Sequence, residues 1–187
     1  MKRVLMVVAA LALLAGTVSA AGPVAYIGLY ADAAHTACEY WNPAMTMFTL
    51  YTWVNPSDNG AMCAEYKVEA PVGPGMIIQA AVVNPGASVS MGAAIGAPGA
   101  SVCFGMCQTD WFYTYYVPIW SLDTTAGLFT LHPHDVAGGP QVANCILPDY
   151  PIEPATVLNS FGLNTVCEEA IANDEASWGA IKSMVSE

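Results

Sequence analysis

Apolar and polar positions alternate along most of the chain, and a period of two predicts strands. The cleanest case is residues 62–69, where Met62, Ala64, Tyr66 and Val68 fall on one face and Cys63, Glu65, Lys67 and Glu69 on the other. One buried and one wetted face is the pattern of an antiparallel sheet. Thr46–Val54 predicts a second strong strand, and Val24–Ala31 a third, with Ile27 and Leu29 opposite Tyr26 and Tyr30. Asp32–Glu39 breaks the period and reads as a loop. Asn55-Pro56-Ser57-Asp58-Asn59-Gly60 is dense turn chemistry, so residues 46–69 read as a hairpin closed by a type I′ turn at Asp58-Asn59-Gly60. Further strands are expected at Gly75–Val83, Gly127–Leu131, Gln141–Ile146 and Ala155–Ser160. The Gly- and Ala-rich stretch 86–100 reads equally as a closely packed strand pair or as a surface loop.

The stretch 111–120, Trp-Phe-Tyr-Thr-Tyr-Tyr-Val-Pro-Ile-Trp, has no polar side to its alternation. A regular strand would place Trp111, Tyr113, Tyr115, Val117 and Ile119 on one face and Phe112, Thr114, Tyr116, Pro118 and Trp120 on the other. Only one face of a strand in a two-layer sandwich meets the core. Phe112, Tyr116 and Trp120 are therefore the candidate interaction patch, with on the order of 300 Å² of apolar surface. The alternative is cover from within the chain, by the Gly/Ala-rich stretch or by the C-terminal segment bearing Trp178.

Eight to nine short strands, separated by turns rich in the chain's 16 Gly and 13 Pro, predict an all-β fold: a single Ig-like or jelly-roll-like β-sandwich. Three segments are expected: an export signal over 1–20, the β-domain over 21–167, and an acidic linker with a short amphipathic tail over 168–187. The signal has Lys2 and Arg3 before an apolar run from Val4 to Ala15, and ends in small residues at Val18 and Ala20. In the tail, a capping box from Thr165 to Glu168 precedes Trp178, Ile181 and Val185 at helical spacing, with Gly179 weakening the helix. No stretch beyond the signal holds 18 uncharged apolar residues, so no membrane span is expected after cleavage.

Charge narrows the partners. Beyond residue 20 only Lys67 and Lys182 stand against 15 acids, a net charge of −13. Phosphate backbones are bound by clustered Lys and Arg, so nucleic acid is excluded and anionic lipid disfavoured. Six cysteines, all beyond the signal, point to three disulfides and an oxidising compartment, in the periplasm, at the cell surface or outside the cell. Nearest-neighbour pairing predicts Cys38–Cys63, Cys103–Cys107 and Cys145–Cys167.

Catalytic signatures are sparse. His132-Pro133-His134-Asp135 is the most metal-like cluster, with His35 as a distant third nitrogen. Pro133 restricts the joint geometry of the two histidines, and the competing reading is a strand-end turn. There is no Gly-x-Ser-x-Gly elbow, and the run from Gly86 to Gly99 lacks the Lys-Ser/Thr of a phosphate loop, so no cofactor is predicted. Glu65, Glu69 and Asp110 are the acids whose convergence would support glycoside hydrolysis.

The tail Trp178-Gly179-Ala180-Ile181-Lys182, the tract Tyr150-Pro151-Ile152-Glu153-Pro154 and the spacing Asp32…His35…Cys38 resemble a family of small exported bacterial Cys-containing β-domain proteins. Those proteins end in Trp-Gly-x-Ile/Val-Lys. The resemblance implies secretion and one β-domain, and no catalytic residue. The expected function is that of a non-enzymatic structural or interaction module of a bacterial cell surface or extracellular space, binding copies of itself or other surface components. A glycan-binding module is the alternative, because five Trp and nine Tyr can stack on sugar rings, and a secreted hydrolase is the third reading.

Overall fold

The alternating segments form thirteen strands, and the described residues contain no helix. The structure, a computed structural model, describes residues 24–169; the expected signal and amphipathic tail lie outside them. The strands are β1 (Ala25–Tyr30), β2 (Glu39–Tyr40), β3 (Thr46–Asn55), β4 (Ala61–Glu69), β5 (Met76–Ile78), β6 (Val82–Val83) and β7 (Ala87–Gly92). They continue with β8 (Ala100–Gln108), β9 (Phe112–Ser121), β10 (Gly127–His132), β11 (Gln141–Ala143), β12 (Ile152–Val157) and β13 (Phe161–Leu163). Eight strands have six or more residues and five are two- or three-residue pieces; the strands expected at Gly75–Val83 and Gln141–Ile146 are reduced to β5, β6 and β11, while Cys103 and Cys107 lie in the long strand β8.

Two layers face each other across the core. One runs β1-β3-β9, with β5 and β6 in tandem along the far side of β9. The other runs β7-β8-β4-β11, and the second half of β4 carries β10, β13 and β2. β12 joins the layers, parallel to β1 and antiparallel to β11. Ile27, Leu29, Leu50, Val54 and Ile119 from the first layer meet Tyr66, Val68, Val102 and Val142 from the second, all buried. Burying each such side chain contributes about 1.5–3 kcal/mol. Phe48 stacks on Phe161 at 5.5 Å and meets Phe129 edge-on at 6.3 Å, closing one end of the sandwich.

The expected hairpin over 46–69 is not formed. β3 pairs with β1 and β9, and β4 pairs with β8, β10 and β11, so the connection crosses from one layer to the other. Its turn is also not type I′. The Gly60 N–H donates to the Ser57 carbonyl at 2.9 Å, and the left-handed residue is Gly60 at φ 69° rather than Asp58 or Asn59. A type I′ turn needs positive φ at both central residues. Glu153 secures the crossing by accepting from Ser57 Oγ at 2.7 Å, Asn59 Nδ2 at 2.8 Å and Asn144 Nδ2 at 2.6 Å. Of the two readings of the stretch 86–100, both hold in part: its first half is the edge strand β7, and 93–99 is the loop leading into β8.

All three nearest-neighbour cysteine pairings are corrected. The bonds are Cys38–Cys167, Cys63–Cys103 and Cys107–Cys145, with no free cysteine. Cys103 and Cys107 lie in one strand, β8, where four residues of extended chain separate their Cα atoms by about 13 Å, twice what a disulfide spans. Cys63 instead faces Cys103 directly across the β4–β8 ladder. Cys167 ties the end of the described chain back to Cys38, beside β2. That anchoring also removes the expected capping box. Ser160 and Glu168 exchange backbone and hydroxyl hydrogen bonds at 2.8 Å, and Asn159 bridges to Glu169, so 165–169 runs along the sheet instead of starting a helix. Three bridges and no free thiol place the chain in an oxidising compartment.

Candidate functional site

The outer surfaces of the two layers differ in chemistry. On the β4 side, Glu65 accepts from Ser101 Oγ at 2.9 Å and Gln141 Nε2 at 2.7 Å, one hydrogen-bonded rung across three strands. Lys67 pairs with Asp135 at 2.7 Å and Glu69 at 2.9 Å. The middle of this surface, around β4, is polar, and its β7–β8 side exposes Val89, Met91 and Met106. The outer surface of β1-β3-β9 is aromatic and apolar.

A β-bulge decides which aromatic residues reach that surface. Thr52 of β3 is paired with Tyr115 of β9, but the next residue, Trp53, is paired with Tyr113, so Thr114 is the inserted residue. The bulge reverses the inside–outside order of the strand on one side of it. Tyr115, Val117 and Ile119 point inward, and beyond the bulge Phe112 and Thr114 do too. Phe112, expected in the surface patch, is therefore a core residue, 5% exposed and edge-on to Phe104 at 4.9 Å. Tyr113, expected on the core face, joins Tyr116, Pro118 and Trp120 outside. Tyr116 and Trp120 lie on the outer face, with Trp120 39% exposed.

Neighbouring strands extend this surface in register. Met47, Trp120 and Ile77 form one rung across β3, β9 and β5. Tyr51, Tyr116 and Val82 form another across β3, β9 and β6. Met47 and Ile77 are each 50% exposed. At the other end the rings condense. Tyr51 lies 5.7 Å from Tyr113 and 5.6 Å from Tyr116, and Trp53 lies 5.5 Å from Tyr113. The loop 31–38 folds over this end and sets His35 flat on Trp111, with ring centroids 4.4 Å apart, and 4.9 Å from Trp53. His35 holds a left-handed backbone at φ 48°, a strained conformation for a residue with a side chain. Thr36 N–H donates to Asp32 at 2.9 Å, and the Trp53 indole N–H donates to the Asp32 carbonyl at 3.3 Å. Partial burial pushes the Asp32 carboxyl up, but the bonds from Thr36 and Ala37 outweigh it and hold the group below the usual range. Burial, then the neighbouring Tyr113, Tyr116 and Asp32, push the Tyr51 phenol up.

The metal-like residues are dispersed in role. His134 is 9% exposed, and its Nδ1 accepts the backbone N–H groups of Val136 and Ala137, each at 3.2 Å, so it caps a turn. His132 Nε2 bonds Thr130 at 2.8 Å and lies 3.5 Å from Glu69, and Asp135 is held by Lys67. His35 belongs to the aromatic end of the other layer. Among the described residues no three His, Cys, Asp or Glu side chains gather around one point. The candidate hydrolase acids do not converge either. Glu65 and Glu69 are four residues apart on β4, about 13 Å, against the roughly 5–9.5 Å of paired glycosidase carboxyls. Asp110 follows Gln108, which pairs with Ala61 at the end of β4 away from Glu69.

No family model matches the chain, and no curated protein matches it in sequence. Solved structures do resemble it in fold. The sixth cohesin of Acetivibrio cellulolyticus scaffoldin B, solved in complex with a mutant Cel5 dockerin, superimposes with a TM-score of 0.52 at 9% identity, over 76% of this chain and 99% of that one. A non-cellulosomal cohesin from the hyperthermophilic archaeon Archaeoglobus fulgidus gives a TM-score of 0.49 at 10% identity, over 74% of this chain and 88% of that one. The first likeness shows that the fold is a β-sandwich of the cohesin kind.

Proposed function

We propose that the protein is a non-enzymatic interaction module of the bacterial cell surface or extracellular space, and that it binds a protein partner through the outer face of β1-β3-β9. One observation carries this reading. The rung Met47–Trp120–Ile77 and the tyrosine cluster beside it leave a contiguous aromatic and apolar strip open on the molecule's surface, while β4 at the centre of the opposite layer carries the polar groups of Glu65 and Lys67. Contiguous exposed apolar surface of this kind marks interaction sites. The cohesin of similar fold was solved bound to a dockerin, which supports protein recognition on such a sandwich. The likeness to small exported bacterial β-domain proteins supports the compartment. A photoreactive residue at position 120 should form a protein adduct in the secreting cell, and one at position 130, on the opposite layer, should not. Adduct formation from both positions alike would defeat the assignment of the face.

Glycan binding is the second reading, favoured by the exposed ring of Trp120 on the same face as Tyr116. A glycan array read with the wild-type chain and a Trp120→Ser variant separates the two: sugar binding lost in the variant would replace the protein reading.

A further inference from the structure

Resting on that reading of the outer face, we infer that its occupant is a cationic amphipathic segment of another protein, helical, with an apolar stripe and flanking Lys or Arg. Shape sets the size of the occupant. From Tyr113 to Trp120 the strip is about 23 Å long, and from β1 to the β5/β6 edge about 14 Å wide. One helix of about 15 residues, 10–12 Å across, covers such a strip. Two copies of this chain meeting there would fall short of the ~800 Å² per partner of a stable interface.

Charge sets its sign. The strip's ionisable groups are its tyrosines and, stacked on Trp111 at one end, His35, and carboxylates stand around it. Asp32 and Glu169 both act on the Tyr30 phenol at one edge, and Tyr30 pairs with Tyr51 in the ladder. Asp110 precedes Trp111 and accepts its N–H at 2.7 Å. At the far end Asp123 accepts the Gly75 N–H at 2.8 Å, two residues past the Met76–Ser121 pair. Lys67 is the only Lys or Arg among the described residues, and it sits on the opposite layer, already paired twice. Among the described residues no Lys or Arg faces these carboxylates, so the partner is the source of the matching cations. A second copy would bring the same acidic surface and be repelled. The chain's own segment 170–187 carries three acids against Lys182, so its charge is also of the wrong sign.

The test is a selection of helical 18-residue peptides displayed on phage, against the full disulfide-bonded chain and a Tyr116→Ser/Trp120→Ser variant with unchanged circular dichroism. Selected peptides should carry apolar residues at i, i+3, i+4 and i+7, a net positive charge, and at least tenfold preference for the wild type. Their synthetic versions should weaken about threefold from 50 to 300 mM salt, and at least tenfold when Lys and Arg become Glu. Neutral or acidic winners that still prefer the wild type would overturn the cationic assignment and leave the interaction face standing. Winners with no preference for the wild type would overturn both. A tenfold gain in affinity in a Trp178→Ser/Ile181→Ser chain would show that the chain's own tail is the occupant, and would also overturn the proposal.

Discussion

Tyr66 on β4 and Thr114 on β9 join their hydroxyls across the middle of the sandwich, both fully buried. Thr114 donates onward to the Thr52 carbonyl at 3.3 Å, so Tyr66 is the donor of the first bond. Burial pushes the Tyr66 phenol far up, so it stays neutral. The bulge that turns Tyr113 outward is the same one that turns Thr114 inward to meet Tyr66.

That pair is expected to be coupled. Thr114→Val strands the Tyr66 hydroxyl in the core and should cost about 1–3 kcal/mol. Tyr66→Phe should cost about 1 kcal/mol, since the Thr114 hydroxyl keeps the Thr52 carbonyl as a partner. The double variant should be more stable than the sum of the two losses implies, by at least 0.5 kcal/mol. Urea melts of the four proteins measure the coupling; strict additivity would mean the two hydroxyls do not meet.

Phe112 and Trp120 should respond in opposite ways to substitution. Phe112→Ala empties a core site against Phe104 and should cost about 3–5 kcal/mol. Trp120→Ser on the outer face should change stability by less than about 1 kcal/mol. Thermal melts of the two variants decide whether the bulge lies at Thr114, because a regular strand would exchange Phe112 and Tyr113 between core and surface.

Glu153 should make stability depend on pH. Its partial burial pushes the carboxyl up, but the bonds from Asn144, Ser57 and Asn59 prevail and hold it below the usual carboxylate range. A pKa lower in the folded than in the unfolded state contributes stability above about pH 4.5 that disappears as pH falls through the folded value. Glu153→Gln should lower stability at pH 7 by about 1–2 kcal/mol and flatten the melting temperature between about pH 5 and 3 relative to wild type. A parallel acid profile in the variant would show that other carboxyls govern the transition.

Cys38–Cys167 closes a loop with a sequence separation of 129, against 40 and 38 for the other two bonds. On the chain-entropy account its loss should cost about 5 kcal/mol and each of the others about 4. Cys38→Ser/Cys167→Ser should therefore be the least stable of the three double variants by thermal melt. Peptide mapping under non-reducing conditions should recover the three bonds directly.

Composition, charge and alternation reach far into this protein because they report local and summed properties. The exposure of β4 is written in its own residues, Glu65 and Lys67 against Ala64, Tyr66 and Val68, since water and core select side chains one position at a time. An all-β fold and an oxidising compartment follow from the same level. Strand pairing does not. Asn55–Gly60 carries turn residues whether the chain folds back in the same layer or crosses to the other, and only the partners of β3 and β4 decide. Cysteine pairing depends on which strands lie side by side, so Cys63 finds Cys103, 40 residues away, while Cys107 at four residues from Cys103 is out of reach along β8. The outer face turned on one inserted residue. Tyr113, Tyr51, Met47 and Ile77 were not legible as surface because both sides of β3, β5 and β9 are largely apolar and offer little polar contrast to fix the phase. A bulge at Thr114 leaves no local mark, since its cause is the register against β3 and the buried Tyr66 hydroxyl waiting on the opposite layer.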